Sequence, residues 1–215
     1  MVSVTGKLII LDKSPQVKAL MTIIRDRETP RDVFIFYSDR LTRILVERGL
    51  ELLPLKKKEV ITPLNKRYSG FEFEGKICAV SIMRAGESME KALRDVCQKI
   101  RIGKILIQRR EEDASPVVYY AKLPTDISQR YVLLLDPMLA TGGSACEAIK
   151  ILKGHGVEEA KIIFINLIAS AEGVRRLQSE YPGVTIVTGE VDPELDERAF
   201  ILPGLGDFGD RYFGT

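Results

Sequence analysis

Short apolar segments alternate with helical patterns along most of this sequence, and this alternation limits the possible fold more than any other feature. The apolar segments have the length of buried strands and lie at residues 77–83, 104–108, 131–135, 161–168 and 185–188. Amphipathic helical patterns occupy three of the intervals, at residues 88–96, 145–153 and 171–181. Strands that alternate with helices predict an α/β fold, in which a mainly parallel sheet is flanked by helices on both faces.

The two ends of the sequence depart from this alternation. Residues 16–27 and 33–48 have helical patterns and predict an N-terminal helical region. Residues 59–73 carry turn residues between apolar ones and predict a hairpin, or β-arm. The chain from about residue 190 to its end is rich in Pro and Gly. We expect one domain over residues 1–215, with the arm at about 59–73 and a C-terminal hood at about 190–215.

The composition is that of an ordinary water-soluble globular protein, with 45% hydrophobic and 29% charged residues. The formal net charge of +2 gives no strong field to attract nucleic acid or a membrane surface. The basic run at residues 56–58 predicts a solvated face rather than a binding patch. The first 15 residues lack a signal-peptide pattern, and no apolar run is long enough to cross a membrane. We expect a cytoplasmic protein.

The cysteines and the histidine offer little chemistry. Cys78, Cys97 and Cys146 lie in apolar segments without metal-ligand spacing, so we expect reduced, buried thiols. His155 lies between two glycines after a helical pattern, which indicates an exposed turn. A zinc cluster or a Ser-His-Asp site is therefore not expected.

Polar and charged residues follow three of the predicted strands directly. Residues 84–87 contain Arg and Glu, residues 109–112 contain two Arg and two Glu, and residues 136–144 contain an Asp and a glycine loop. In sheets of this type ligands bind beyond the carboxyl ends of the strands. The three segments together predict a site for a polyanionic, magnesium-bound ligand that carries sugar hydroxyls.

The third of these segments predicts phosphate binding. A buried strand leads to Asp136, and the sequence from Thr141 to Ser144 then opens a helix. The glycines allow the backbone to approach a phosphate, the helix adds its positive N-terminal end, and the hydroxyls of Thr141 and Ser144 can donate hydrogen bonds.

Two features of the loops allow alternative interpretations. Ser144 and Glu147 have the spacing of a capping box, so the glycine loop could be a simple helix cap. The loop lacks the lysine of a nucleoside-triphosphate P-loop, which argues against ATPase or GTPase chemistry. Residues 110–122 are either a mobile lid over the ligand or a packed hairpin, and the residues favour neither alternative.

Four segments resemble a known family. Residues 136–144 resemble the phosphoribosyl pyrophosphate loop of type I phosphoribosyltransferases, and the Asp-Pro start is the form found in uracil phosphoribosyltransferases. The stretch FILPGLGDFGDRYFGT at residues 200–215 is similar to that family's uracil-binding segment, and SIMRAGESME and ILIQRREE also match it. The resemblance runs from about Leu20 to the end of the chain and is strongest to eukaryotic members.

The resemblance implies a type I phosphoribosyltransferase fold and the transfer of a phosphoribosyl group from phosphoribosyl pyrophosphate (PRPP) to uracil, which gives UMP and pyrophosphate. It implies catalytic roles for Arg84, Asp136 and Asp207. The implied PRPP-binding residues are Arg84, Arg109, Asp136, Pro137, Met138, Leu139, Ala140, Thr141, Gly142, Gly143, Ser144 and Asp207. The implied uracil-binding residues are Ile201, Gly206, Asp207 and Phe208.

Further expectations follow from the same resemblance. Mg²⁺ is expected to arrive with the pyrophosphate group rather than in a protein cage. GTP is a candidate effector, and a homodimer or homotetramer is expected, with the arm as a contact. Arg110 stands where relatives often carry an acid, which could alter the handling of pyrophosphate. The alternatives are a non-catalytic regulator that senses nucleotides with this fold, and a transferase for a purine base.

Overall fold

The structure is a computed structural model that describes residues 7–109 and 116–215. Within these residues the main sheet has eight strands, numbered here in chain order together with those of two hairpins. They are β1 (Leu8–Ile10), β4 (Lys76–Met83), β5 (Arg101–Arg109), β6 (Pro116–Lys122), β7 (Arg130–Leu135), β8 (Met138–Leu139), β9 (Ile162–Ser170) and β10 (Thr185–Asp192). The spatial order is β1-β10-β9-β7-β4-β5-β6. Strand β8 pairs in parallel with the last part of β9, beyond the part that pairs with β7. Only the pairing of β6 with β5 is antiparallel within the described sheet.

Helices cover both faces of this sheet, as the alternation of apolar segments predicts. They are α1 (Pro15–Arg25), α2 (Arg31–Leu50), α3 (Met89–Val96), α4 (Gly143–Gly154), α5 (Ala171–Glu180) and α6 (Phe208–Phe213). The side chains of α1, α2, α3 and α6 contribute to one hydrophobic core, and those of α4 and α5 contribute to a second. Strand β9 is buried along its whole length because it supplies side chains to both cores.

The structure confirms the predicted fold class, a mainly parallel α/β sheet, and the predicted N-terminal helical region. It also contains short elements that the sequence patterns did not predict, among them one strand and one helix. Strand β1 pairs in parallel with β10, and α6 forms in the Gly-rich C-terminal stretch. Residues 116–122 form an edge strand, as the hairpin alternative predicted, while residues 110–115 lie outside the described residues.

The arm is longer than predicted. Its strands β2 (Leu55–Ile61) and β3 (Arg67–Phe73) pair from Leu55 to Phe73, so the expected start at residue 59 was wrong by four positions. The basic run explains the error, since three lysines in a row obscured the alternation of the first strand. Lys56 and Lys58 both pair with Glu72 across the hairpin, in an exposed setting.

The structure confirms the expectations for two of the three thiols and for the histidine, whereas Cys97 is less buried than expected. Cys78 and Cys146 are buried, Cys97 is half-buried, and His155 is an exposed residue at the end of α4. Burial raises the pKa of the Cys78 and Cys146 thiols to about 12. These groups therefore stay protonated at neutral pH and supply no thiolate nucleophile. None of the described helices is long and apolar enough to cross a membrane.

The C-terminal hood packs on α1 and α2 instead of forming a free tail. Arg211 donates to the carbonyls of Ile24 (2.5 Å), Asp26 (2.7 Å) and Leu205 (2.9 Å). Tyr212 donates its hydroxyl to the buried carboxylate of Asp39 at 2.9 Å. Burial, followed by the neighbouring Asp39 charge, raises the pKa of Tyr212 above its usual range. These contacts hold the end of the chain over the carboxyl ends of the strands.

Candidate active site

The three polar segments follow neighbouring strands, as predicted. The central order β7-β4-β5 is parallel, with Ser81 opposite Leu135 and Met83 opposite Leu106. The first residues after β7 and β4 and the last residue of β5 therefore lie at one edge of the sheet. Asp136 follows β7 and Arg84 follows β4. Arg109 is the last residue of β5, and only its backbone position belongs to the described part of the chain.

The predicted phosphate loop has the backbone geometry of an anion site. Gly142 has a left-handed conformation (φ 79°), and a Cβ atom there would lie 3.3 Å from the carbonyl oxygen of Gly173. Helix α4 begins at Gly143, and its first backbone hydrogen bond runs from the Cys146 N–H to the Gly142 carbonyl at 2.9 Å. The N–H groups of residues 143–145 precede that bond, and such groups at a helix start are available to an anion.

The capping-box alternative does not describe this helix. Gly142 occupies the N-cap position and makes no side-chain capping hydrogen bond. Ser144 lies one residue inside the helix, so its hydroxyl is not the cap that its spacing with Glu147 suggested. The spacing was misleading because the helix starts two residues earlier than a Ser144 cap would require.

Residues of β9 and α5 contact the backbone carbonyls of the predicted phosphate loop. The Ser170 hydroxyl donates to the Ala140 carbonyl at 2.6 Å, and Arg176 Nη1 donates to the Thr141 carbonyl at 3.3 Å. A Cβ atom on Gly173 would lie 2.3 Å from the Ala140 carbonyl oxygen, so only glycine allows this approach. These contacts use carbonyl oxygens of the loop and none of its N–H groups.

The segment after β4 is attached tightly to the end of β7. A Cβ atom on Gly86 would lie 2.3 Å from the Leu135 carbonyl oxygen, which explains the glycine in the 3-10 turn Ala85–Ser88. Lys104 of β5 pairs with Glu87 of this turn at 2.5 Å. The turn that follows Arg84 is therefore fixed to both neighbouring strands.

Arg84 itself reaches the C-terminal helix. Its guanidinium donates to Asp210 Oδ1 at 2.8 Å and to Thr215 Oγ1 at 2.8 Å, and it lies over the Phe213 ring at 5.4 Å. The hydrogen bond from Arg84, followed by that from Thr215, holds the pKa of Asp210 below its usual range. The Arg84 and Asp210 side chains are each about half exposed. Such an exposed ion pair is weak, so an anionic ligand that binds Arg84 more strongly can replace the Asp210 carboxylate.

Residues 194–213 form a hairpin, a turn and a short helix, and all but the first strand of the hairpin belong to the segment at 200–215 that resembles a uracil-binding segment. Strands β11 (Glu194–Leu195) and β12 (Ile201–Leu202) pair in antiparallel fashion, and α6 follows the turn. Asp207 is the N-cap of α6, where its carboxylate accepts from the Asp210 N–H at 2.9 Å. Ile201 and Phe208 are buried, and Gly206 has a left-handed conformation (φ 83°).

A cleft of about 340 Å³ lies where these segments meet. Seven of the predicted site residues line it, namely Met138, Ala140, Ser144, Ile201, Gly206, Asp207 and Phe208. The side chains of Pro137 and Leu139 are instead buried, so these two residues can contact a ligand only through their backbone. Three residues of the segment 136–144 and four of the predicted uracil-binding residues, about 60 positions further along the sequence, therefore line one cleft.

Five further residues, which the sequence patterns did not indicate, also line the cleft: Ala85, Arg198, Ala199, Phe200 and Gly209. Three of them form the tip of the β11–β12 hairpin, where the Asp196 carboxylate accepts from the N–H groups of Arg198 (2.9 Å) and Phe200 (2.8 Å). An Asp that precedes such a turn is a detectable signal. The surrounding sequence has no clear strand periodicity, so this signal alone did not predict the hairpin.

No three His, Cys, Asp or Glu side chains within residues 7–109 and 116–215 are grouped as a metal site would require. Asp207 nevertheless places a carboxylate at the cleft wall. Mg²⁺ commonly binds through one or two carboxylates together with substrate phosphates. The donor set around the cleft thus fits a magnesium ion that is bound mainly by its phosphate ligand.

Comparison with solved structures defines the class of fold. The structure of a protein from Aquifex aeolicus superposes with a TM-score of 0.86 at 30% identity, and the match covers 97% of this chain and 98% of that one. Adenine phosphoribosyltransferase of Trypanosoma brucei superposes with a TM-score of 0.57 at 14% identity, over 96% of this chain and 90% of that one. The fold is that of the type I phosphoribosyltransferases.

The family follows from the sequence comparisons. The family model described as uracil phosphoribosyltransferase matches residues 10–215. The uracil phosphoribosyltransferase of Dictyostelium discoideum is 56% identical over 208 residues, which cover 97% of this chain and 96% of that protein. This chain belongs to the uracil phosphoribosyltransferase family, and the resemblance drawn from its motifs is confirmed.

Proposed function

We propose that this protein transfers the phosphoribosyl group of PRPP to uracil, which yields UMP and pyrophosphate. Family membership over residues 10–215 supports the reaction. The single structural observation that carries it is the shared cleft, because one cavity is lined by the phosphate loop and by the uracil-like segment. A transfer between two substrates requires their reacting atoms to be held together in this way.

PRPP binding is assigned to the edge of the sheet. The 5-phosphate accepts from the N–H groups at the start of α4 and from the hydroxyls of Thr141 and Ser144, while Asp136 binds the ribose hydroxyls. Arg84 and Arg109 bind the pyrophosphate, since guanidinium groups form forked hydrogen bonds with phosphate oxygens. Arg84 leaves Asp210 to do so. The exposed setting of that pair supports such an exchange of partners.

The reaction forms a bond from a ring nitrogen of uracil to the anomeric carbon and breaks the bond from that carbon to pyrophosphate. Positive charge builds on the ribose and negative charge on the leaving group. Asp136 and Asp207 stabilise the former, and the arginines stabilise the latter. Asp207 is also the best candidate to accept the proton that uracil loses. Catalysis is then mostly positioning and charge stabilisation.

Uracil recognition is assigned to Ile201, Gly206, Asp207 and Phe208. Uracil and cytosine differ at one edge by the exchange of a hydrogen-bond acceptor for a donor. Backbone groups fixed near Gly206 can discriminate between these edges, because the wrong base leaves buried polar groups unpaired. The buried Phe208 ring, 5.2 Å from that of Phe34, gives this wall an apolar and rigid backing.

Magnesium enters this proposal with PRPP. When bound, the ion neutralises part of the charge of the leaving pyrophosphate, and Asp207 is the carboxylate at the cleft that can contact it. We expect a chelator to abolish UMP formation and excess Mg²⁺ to restore it.

We further propose that the whole chain acts as one catalytic domain in the cytoplasm and forms a homo-oligomer. Exposed apolar side chains on the arm support self-association, among them Ile61, Leu64, Phe71 and Phe73, which are 62–81% exposed. Sedimentation analysis tests this association. GTP as an effector has the support of the resemblance alone, and assays with and without GTP test it.

The decisive experiment incubates the protein with PRPP, Mg²⁺ and one base at a time. We expect UMP from uracil and no nucleotide from cytosine, adenine, guanine or hypoxanthine. A nucleotide formed from hypoxanthine or guanine would overturn the choice of base. If no base gives product, the activity assignment fails and the non-catalytic regulator becomes the favoured alternative.

A further inference from the structure

Arg25, at the end of α1, binds two acidic residues of β10 far away in the sequence. Its Nη1 and Nη2 atoms each donate to one carboxylate oxygen of Asp192, both at 2.8 Å, and Nη2 also donates to Glu190 at 2.7 Å. We name Arg25, Glu190 and Asp192 the Arg25 cluster. Their side chains are 18%, 21% and 6% exposed, so the cluster is largely shielded from water.

The Arg25 cluster also binds both polar backbone groups of Gly204. Arg25 Nη1 donates to the Gly204 carbonyl at 2.8 Å, and the Gly204 N–H donates to Asp192 Oδ2 at 2.9 Å. Gly204 has a left-handed conformation (φ 58°), and a Cβ atom there would lie 1.9 Å from the Ile201 carbonyl oxygen. The backbone of Gly204 is therefore held on one side by the ion pair and on the other by its close approach to the Ile201 carbonyl.

Gly204 is two residues from Gly206, which lines the substrate cleft. Arg25 does not line that cleft but lines a second cavity of about 470 Å³, together with Arg211 and others. Gly206 and Asp207 line both cavities, so the turn that contains them forms the wall between the two. The Arg25 cluster therefore supports this wall from the side opposite to the substrates.

We propose that Arg25 and Asp192 are positioning residues for uracil recognition. The cluster fixes the turn at residues 203–206, so that the backbone groups near Gly206 meet the edge of uracil at hydrogen-bonding distance. This inference rests on the proposed function. It concerns residues that touch no substrate. It requires that loosening the cluster weakens the use of uracil, while PRPP still binds through Arg84 and the start of α4 and Asp207 keeps its place as the N-cap of α6 through the Asp210 N–H.

A matched control comes from the other end of the sheet. Arg130 also binds both oxygens of a carboxylate, those of Asp126, at 2.8 and 2.7 Å, and it donates to the Ile77 carbonyl at 2.9 Å. The chemistry of the two arginines is the same, but Arg130 supports the start of β4, away from the cleft. A purely structural role for Arg25 predicts that the two arginines respond alike to substitution.

The experiment compares Arg25→Lys with Arg130→Lys in steady-state kinetics and thermal unfolding. Lysine keeps the positive charge but loses the forked geometry. For Arg25→Lys we expect KM for uracil to rise by about tenfold, with kcat and KM for PRPP within about twofold of the wild-type values. For Arg130→Lys we expect a similar loss of thermal stability and no change in KM for uracil.

Two further variants keep the inference open to refutation if Arg25→Lys does not fold. Glu190→Gln removes only one of the contacts to Arg25, and we expect it to raise KM for uracil by about threefold. Asp192→Asn weakens the contacts to both Arg25 and Gly204, and we expect an effect near that of Arg25→Lys. An unchanged KM for uracil in the folded variants would overturn the inference, as would an equal rise in KM for both substrates.

The wild-type protein separates this inference from the proposed function. UMP formation by the wild type, with no selective change in the cluster variants, would refute the positioning role alone. Failure of the wild type to form UMP would refute the reaction on which the positioning role depends.

Discussion

The two ends of strand β4 each have an arginine beside them, and the two arginines are bound very differently. At the start of the strand, the Arg130 side chain is 8% exposed and binds both oxygens of Asp126 and the Ile77 carbonyl. Just past its end, the Arg84 side chain is 49% exposed and binds one oxygen of Asp210 and the Thr215 hydroxyl. The first guanidinium has little access to other ligands, whereas the second can exchange its partners.

This difference is the one expected between a structural arginine and the binding role proposed for Arg84. A buried, forked pair with a carbonyl contact leaves little room for another anion and is costly to break. A half-exposed pair contributes little to stability, so a phosphate can replace the carboxylate at small cost. In a parallel sheet the binding end is the one beyond the carboxyl ends of the strands, and Arg84 lies there.

The largest effect that tests this comparison is expected from Arg84→Ala. Loss of a guanidinium that stabilises the leaving pyrophosphate should lower kcat/KM for PRPP by about a hundredfold or more. The melting temperature should change by no more than about 1 °C, since the lost pair is exposed. Steady-state kinetics and thermal unfolding measure both quantities, and an unfolded variant would show that Arg84 is structural.

Arg130→Ala is the counterpart at the other end of β4. It removes the forked pair with Asp126 and leaves the Ile77 carbonyl without its donor. We expect the melting temperature to fall by roughly 5 °C, while kcat/KM of the folded protein stays within about twofold of the wild-type value. A hundredfold loss of activity in this variant would contradict the division of the sheet into a structural and a binding end.

The next largest effect concerns two acids, Asp207 at the cleft and Asp126 at the start of β4. Asp207→Asn keeps the cap of α6, because Asn caps a helix as well as Asp does, but it removes the charge at the cleft. We expect kcat to fall by about ten- to a hundredfold with nearly unchanged stability. Asp126→Asn should show the reverse, a lower melting temperature at normal turnover. A wild-type rate in Asp207→Asn would remove Asp207 from the mechanism.

The smallest effect is a pH dependence of stability at the structural end. The hydrogen bond from Arg130 is the main cause that lowers the pKa of Asp126 from 3.8 to about 2. A pKa that is lower in the folded state stabilises the fold above pH 3.8, and this stabilisation is lost as the pH falls toward 2. The difference in melting temperature between wild type and Arg130→Ala should therefore shrink across this interval. A difference that stays constant would show that ionised Asp126 is not the group responsible.

Much of the binding end was predictable from local sequence. The segment that runs from β7 through Asp136 to α4 contains a buried strand, a glycine loop and a helix within about 25 residues, and each has its own pattern. The capping-box spacing of Ser144 did not define the start of α4, because Gly142 takes the N-cap position in a conformation that suits glycine.

The hood was harder to predict, although its residues were identified through their resemblance to a family. Helix α6 has only six residues, too few for a periodic pattern, and it is stable because Phe208 and Tyr212 pack against α2 and the neighbouring segments. The cleft residues at the tip of the β11–β12 hairpin were not predicted because its two strands are also too short for a periodic pattern. Short elements gain their stability from tertiary contacts and leave weak signals in sequence.

The sequence by itself determined the α/β class, the alternation of strands and helices, and the glycine loop before α4. Periodicity and glycine conformation are local properties, which act over neighbouring residues. Only the tertiary structure decided that Arg84 meets Asp210 and that Arg25 meets Asp192, across 126 and 167 positions of chain. Such pairs form because burial of the two hydrophobic cores brings distant parts of the chain together, and no local pattern records that free energy.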